Sequence, residues 1–562
     1  MTDEELLSLV GNERKRAIGF GETDSGELVG ARERALRYYR GDVTRDIPSL
    51  VGRSQAVSTD VAEAIETVLP DVMEIFIGGD DVATFTPLGE EDEDQAREES
   101  EFVRHVIFTE NPGFLVFNTA FKDALLVRTG LFHWRWEDEE SEEAEDYGPM
   151  DEETLGVLAQ QVPGIETRAN EDGSFGASLT KRKLHGKVCV EAWPPEDFSV
   201  AADTITLRDA TYACARSRPR VQDLIVRGVD AEVARNLPSY SHPDQQVELA
   251  RDMAGENDSR SNDTNGDLRQ VEVHSHYIRL EEGGELVYWR VDTNSEETTL
   301  IDKEQVSCIP FGAITPYINS HRFYGESVAD KLIEIQKIKT TLLRMFLDDG
   351  YFALNQRMQV DMTFANEFTI SDLLRNEPNM PVRTKGNALS PLRAGGLNFD
   401  ALAALEYASV MSEQRTGIVR NAQGLNPDSL HETAKGAMAL ISAAQKRVRY
   451  IARIFAETGV KDLIRGVHDL LRSGYGAETE EGVERANPTA KLGKGWKQVE
   501  PGSWKERCDI DVQIGIGSAG REQDLMVMQN VMEIQQQMAM GGLGGIIVKP
   551  DNIYNAAKRF AQ

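Results

Sequence analysis

Hydrophobic and polar positions recur along this chain with two periods, helical at both ends and strand-like in the middle. Residues 28 to 40, LVGARERALRYYR, have helical spacing and stop at Gly41. STDVAEAIETVLPDVMEIFIG predicts a second helix, N-capped by Ser58, with Asp60 in its first turn and a kink at Pro70. The run from Glu90 to Asp94 reads as an acidic loop. In LFHWRWEDEE the period shortens to two, giving a strand that starts apolar and runs into solvent. The acidic run from Asp138 to Asp146 then reads as a solvated or disordered insertion. From about 184 to 320 the alternation persists through KVCVEAW, VEVHSHYIRL and ELVYWRVDT, more loosely in EQVSCIPF, so this part is largely β. The polar SYSHPDQQVELARDMAGENDSRSNDTNGD between them predicts a mobile loop.

The helical period then returns. GESVADKLIEIQKIKTTLLRMFLDD places Val328, Leu332, Ile335, Ile338 or Lys339, Leu342 and Met345 or Phe346 on one stripe, followed by Gly350. A mixed stretch rich in Asn, Pro and Gly fills about 353 to 397, and NFDALAALEYASVMSEQRTG predicts a helix ending near Gly417. After the polar bridge IVRNAQGLNPDS a long helix is expected from about Leu430 to Leu471, capped by Asp428 or Ser429. Its first turns carry Thr433, Ala434, Gly436, Ala437, Ala439, Ser442, Ala443 and Ala444, side chains small enough for a neighbouring helix to approach closely. An ordinary buried helix satisfies that pattern, and so does a packed ring of identical helices with the polar bridge facing a central hole. The fold class expected is α+β, mainly helical, with a small insert between two helices.

Charge narrows the function classes. The 562 residues hold 61 Lys and Arg against 94 Asp and Glu, a net charge of −33. A surface that acidic does not grip nucleic acid over its whole extent, because phosphate affinity comes from cations. It can let DNA slide past, since like charges repel. The four cysteines (Cys189, Cys214, Cys308, Cys508) form no C-x-x-C pair and read as thiols of a reducing compartment. No signal peptide and no run of about 18 apolar residues is present, so a soluble chain with no membrane contact is expected.

Three motifs have spacings that chemistry could use. Gly515 to Gly520, GIGSAG, has the glycine order of a dinucleotide-binding turn between a strand and a helix. Only about 40 residues follow it, too few for the required sheet, and Glu522 and Asp524 put carboxylates where a phosphate would sit. A nucleotide-dependent enzyme is therefore the lesser alternative, and a glycine turn the preferred reading. Asp80 and Asp81 fit a helix end with Gly78 and Gly79 better than a metal-binding turn. His274 and His276 share one strand face, half of a metal site, but no third ligand has a matching spacing and a solvated face is expected. His431 has no nucleophile partner. No catalytic, cofactor-binding or metal residue is assigned.

Four stretches carry a resemblance: VSTDVAEAIETVLPDVMEIFIGGDDVATFTP, WPPEDFSVAADTITLRDATYACARSRPRVQDLIVRG, HRFYGESVADKLIEIQKIKTTLLRMFLDD, and RTGIVRNAQGLNPDSLHETAKGAMALISAAQKRVRYIARIFAETGVKDL. In this order, and with GWKQVEPGSWKERCDIDVQIGIGSAG near the end, the chain resembles the portal, or head-to-tail connector, proteins of short-tailed bacteriophages over about residues 30 to 540. The resemblance implies a portal fold assembled as a ring, commonly of twelve subunits, at one capsid vertex. A separate ATP-driven large terminase packages double-stranded DNA through such a ring, and the DNA later leaves by it. By order, it implies a wing at 1–324, a first stem helix at 325–352, a clip at 353–397 and a second stem helix at 398–417. It further implies a channel loop at 418–435, a long helix and strand returning to the wing at 436–519, and a short helical crown at 520–562. The clip would dock terminase and then the tail adaptor, and the major capsid or scaffold protein would surround the ring. Arg420, Asn421, Gln423, Asn426 and Asp428 become candidate DNA-facing residues. Gly436, Ala437, Ala439, Ser442 and Ala443 become candidates for subunit packing. DNA would pass without sequence specificity.

Overall fold

The structure is a computed structural model. It describes residues 2–18, 26–77, 84–87, 89–150, 166–169, 175–240, 251, 266–354, 358–375, 381–391, 401–417, 446–477, 483–492, 495–507 and 510–511. Helices and sheets are both present, and the chain divides into two compact units. The first comprises Met1–Arg32, Glu66–Ser327 and Gln445–Gln562; the second comprises Glu33–Ile65 and Val328–Ala444. No helix among the described residues is long and apolar enough to cross a membrane.

The labelled helices are α1 (Asp3–Arg16), α2 (Gly26–Tyr39), α3 (Asp60–Ile77), α4 (Glu93–His105), α5 (Gly113–Val127), α6 (Val328–Leu354), α7 (Ala401–Thr416) and α8 (Lys461–Gly476). The labelled strands are β1 (Gly130–Met150), β2 (Phe175–Trp193), β3 (Phe198–Val200), β4 (Tyr212–Ser217), β5 (Val273–Glu282), β6 (Glu285–Asn294), β7 (Leu300–Val306), β8 (Phe311–Ile314), β9 (Thr489–Leu492) and β10 (Gly495–Gln498).

In the first unit, one sheet has the order β8–β1–β2 followed by Val483–Arg485, and a second runs β3–β4–β5–β6–β7. Their alternation decides what each face meets. Ala213 and Ala215 of β4 pack with Leu131, Phe198 and Phe311, joining the two sheets. The intervening Tyr212 and Cys214 face the other way and cover Leu6 and Val10 of α1. On the far side of the first sheet Phe121 of α5 lies within 5.0 to 6.4 Å, ring to ring, of Phe76, Phe117, Phe132 and Phe455. Gly466 lets α8 approach this sheet, since a Cβ there would stand 2.1 Å from the Trp134 ring.

Several boundaries move. The N-cap position of α3 falls to Thr59, one residue past Ser58, and the helix continues through Pro70. The acidic run from Glu90 forms a short 3₁₀ turn leading into α4, with Glu93 and Asp94 in the helix's first turn, where the helix dipole favours them. The run from Asp138 to Asp146 is not a free insertion: it is paired residue by residue with β2, Glu142 opposite Arg182 and Glu143 opposite Lys181. Opposite charges directly across a ladder stabilise it, so an acidic strand forms beside a basic one, with Asp138, Glu139, Glu140 and Glu142 exposed. The helix expected to end at Leu471 runs on to Gly476, and is interrupted by a π-turn at Ala456–Val460. There a Cβ on Gly459 would come within 2.8 Å of the Ala313 backbone, so the glycine turn admits β8. Similarly α6 does not stop at Gly350 but continues to Leu354. The polar stretch around 241–265, apart from Arg251, lies outside the described residues.

The second unit contains the end of α2, the start of α3, and α6 and α7, which pack together. Between α6 and α7 a small insert pairs Met358–Val360 with Leu389–Pro391. As expected, α7 ends at Gly417, whose φ of 75° is the left-handed conformation that a glycine supplies at a helix end.

Candidate functional site

The long helix α6 is where sequence and structure differ most usefully. Its first two turns bury Val328, Leu332 and Ile335, as the apolar stripe requires. Beyond them the buried positions are Gln336, Thr340 and Arg344, while Ile338, Met345 and Phe346 of the expected stripe are 48, 47 and 41 % exposed. The reason is the segment 47–61, which is largely non-helical and presents unpaired backbone groups to α6. Gln336 accepts from Val61 N–H (2.9 Å) and donates to the Tyr38 carbonyl (3.0 Å). Thr340 accepts from Ser58 N–H (3.2 Å), Arg344 donates to the Ala56 carbonyl (3.0 Å), and Asp348 accepts from Ser54 N–H (2.6 Å). Gln336, Thr340, Arg344 and Asp348 thus form a ladder at four-residue spacing. A buried backbone group left unpaired costs about 1–3 kcal/mol, enough to turn the helix's polar side inward. Lys339 adds an ion pair to Asp60 at the start of α3.

This inversion leaves an apolar surface. Leu347 and Tyr351 of α6 are exposed together with Ile338, Met345 and Phe346, and so are Leu402, Tyr407 and Val410 of α7. The insert between the helices is similar, with Met362, Phe364, Phe368, Ile370 and Leu374 all more than 45 % exposed. It is held by Asp372, which accepts from Arg383 Nε (2.9 Å) and Nη2 (2.8 Å). Those bonds hold the Asp372 carboxyl down at about 2. Arg383 also lies 4.4 Å from the Phe368 ring centroid.

The histidine pair is placed differently from expectation. His274 and His276 share a face of β5, but both are fully buried rather than solvated, and Glu297 supplies a third group within 4.8 Å. That set already has its cation and its donors. Arg14 binds Glu297 (2.6 Å) and His274 Nδ1 (2.9 Å), and His274 Nε2 meets Glu272 (2.9 Å). His276 lies between Tyr212 Oη (2.7 Å) and Thr293 Oγ1 (3.0 Å). Burial, and then the charges of His274 and Arg14, lower the His276 pKa well below its ordinary value. The cluster docks α1 on the second sheet, and its ring nitrogens are occupied by protein groups.

A second buried cluster joins the segment after β10 to α4 and α8. Arg507 donates to Asp92 (2.7 Å) and to both oxygens of Glu99, and His468 Nε2 lies 3.2 Å from Glu99. All four side chains are nearly or fully buried. Burial opposes the charged imidazole of His468, but its bonds to Asp469 and Glu99 outweigh that and raise its pKa.

The other sequence candidates fall elsewhere. Arg420, Asn421, Gln423, Asn426, Asp428, His431, Gly436, Ala437, Ala439, Ser442 and Ala443 lie outside the described residues, as do Asp80, Asp81 and Gly515 to Gly520. The polar ladder was missed at the sequence level. Its signal was present, a polar residue at every fourth position through QKIKTTLLRMFLDD, but an apolar count alone passes over it.

A comparison with protein families matches residues 6–562 to the family described as phage SU10 portal protein. No curated protein matches the chain. A match across nearly the whole length, on a chain with both helices and sheets and an exposed helix pair, settles the family: this chain belongs to the SU10-type phage portal proteins, structural components of the virion.

Proposed function

We propose that copies of this chain assemble into a ring, a dodecamer, at one capsid vertex, forming the channel through which double-stranded DNA is packaged by a separate terminase and later ejected. The observation that carries the reading is the exposed apolar face of α6 and α7 in a chain of the portal family. A face of that kind on a soluble chain asks for a protein partner, and identical copies supply one repeatedly. The insert at 353–397 is the docking site for terminase and then for the tail adaptor, its exposed Phe364, Phe368 and Leu374 being suited to the purpose. The wing meets the major capsid or scaffold protein. Arg420, Asn421, Gln423, Asn426 and Asp428 face the DNA, and Gly436, Ala437, Ala439, Ser442 and Ala443 pack subunit against subunit. At −33 per chain the ring repels the DNA backbone, so the duplex passes without adhering or being read. This role requires no catalytic residue, cofactor or metal.

Particle images along the ring axis, with native mass measurement, test the reading. Closed rings of defined subunit number are expected, and a chain that stays monomeric under all conditions overturns it. Deleting 420–426 or neutralising Asp428 is expected to lower packaged DNA while leaving ring formation intact.

A further inference from the structure

The first unit contains an open cleft of about 770 Å³ between its two sheets and α8. Its lining interleaves aromatic rings, Trp134, Trp136, Trp193 and Tyr277, with carboxylates, Glu191, Asp292, Asp302, Glu304 and Asp469, which stand among three arginines. Of these Arg290 is already bound by Asp292 (3.4 Å), Asp302 (2.6 Å) and Glu304 (3.0 Å), and Arg135 by Glu137 and Glu191. Asp302 and Glu304 remain about half exposed, at 47 and 57 % of their side-chain surface. Aromatic faces beside carboxylates suit a cation carried next to an apolar ring.

The same unit displays such a group. In the β9–β10 hairpin, Lys491 stands directly opposite Trp496 in register, so the two side chains share one face. The hairpin's other face is fixed, with Ala490 and Leu492 buried and Lys497 bonded to Glu98 of α4 (2.9 Å). Lys491 is exposed and Trp496 is 74 % exposed, the most open tryptophan among the described residues with an assigned exposure. Neither lines the cleft of its own chain. Burying a tryptophan removes roughly 150–250 Å² from water, so leaving one bare is costly unless another surface covers it.

We infer that the Lys491–Trp496 face of one copy docks in the acidic, aromatic cleft of the next. The inference rests on the ring reading above and names one of its contacts. Such a contact joins two different patches and therefore propagates head to tail, closing a ring when the rotation permits. It also brings a cation onto carboxylates at short range, offsetting the repulsion between chains that each carry −33.

Cys308 lines the cleft and is exposed, so it serves as a native reporter. Gln498 stands two residues along β10 from Trp496, on the same face, and is exposed. Full-length Gln498→Cys chain, treated with a short bis-maleimide, is expected to give a ladder of covalent multimers that Cys308→Ser abolishes. Adding Trp496→Ser or Lys491→Glu is expected to lower the ladder about tenfold, the size typical of losing a tryptophan anchor or its charged neighbour. Images of the same samples report ring formation separately. Rings without a Cys308-dependent ladder, or a 498–308 link confined to monomers, overturn this contact and leave the ring standing. A chain that never leaves the monomer overturns both.

Discussion

The Arg507 cluster of the first unit and helix α6 of the second both bury polar side chains, with opposite consequences for the surface. Arg507, Glu99, Asp92 and His468 are enclosed by Phe85, Phe102 and Trp504, so that polar and apolar groups leave water together. Along α6 beyond its first two turns the polar residues go in and the apolar ones stay out. The first arrangement is complete within one chain. The second satisfies the backbone of segment 47–61 at the expense of an apolar face, which the proposed ring covers. Buried polarity is therefore informative only together with what it displaces.

The largest effect that sharpens this contrast is expected from Arg507→Met. It removes the guanidinium that bridges buried Glu99 and Asp92, leaving them with His468 and Lys505, at a cost of about 3–5 kcal/mol, measurable by urea unfolding. Gln336→Leu is expected to cost less, about 1–3 kcal/mol in the same measurement. The Val61 N–H loses its acceptor, while the Tyr38 carbonyl keeps the Gly41 N–H. An equal or larger loss at Gln336 would erase the distinction between cluster and ladder.

Next in size is a pH effect. Because the folded pKa of His468 is raised, its contribution is fully present below its ordinary value of 6.5 and lost as pH rises through the folded value. His468→Gln is therefore expected to lower Tm more in acid than in base. His276 has the opposite sign, since its folded pKa is lowered. The unfolded chain takes up a proton there below 6.5 while the folded chain does not, so stability falls with falling pH. Here His276→Gln is expected to flatten the acid limb of the Tm curve, and an unchanged limb would assign it to other groups. The smallest effect on stability is expected from Phe346→Ser, within about 0.5 kcal/mol for the monomer, because the ring is exposed. Its consequence belongs to assembly: ring yield drops while the melting curve does not move, and a shifted melting curve would make Phe346 part of the monomer's own core.

Much of the architecture was legible. Period-two alternation located β1, β5 and β6, and helical spacing with Gly41 and Gly417 as stops located α2 and α7. The order of four long stretches carried the family, because a portal has no catalytic signature and only order over distance distinguishes it. Local charge misled at 90–94 and 138–146, where acidity suggested loops. In the first a helix dipole absorbs the charge, and in the second a basic partner strand distant in sequence does so. The histidine pair misled for the same reason, since its third neighbour, Glu297, and the cation Arg14 come from remote segments.

The sequence by itself determined the periods, the stops, the net charge and the family, all of which depend on residue type and near spacing. Only the tertiary structure decided which side of α6 turns inward, because that depends on the unpaired backbone of segment 47–61. It likewise placed Lys491 beside Trp496 on one hairpin face and assembled the acidic cleft from β2, β6, β7 and α8. Pairings between distant residues follow from where the chain folds back, and no local pattern encodes that.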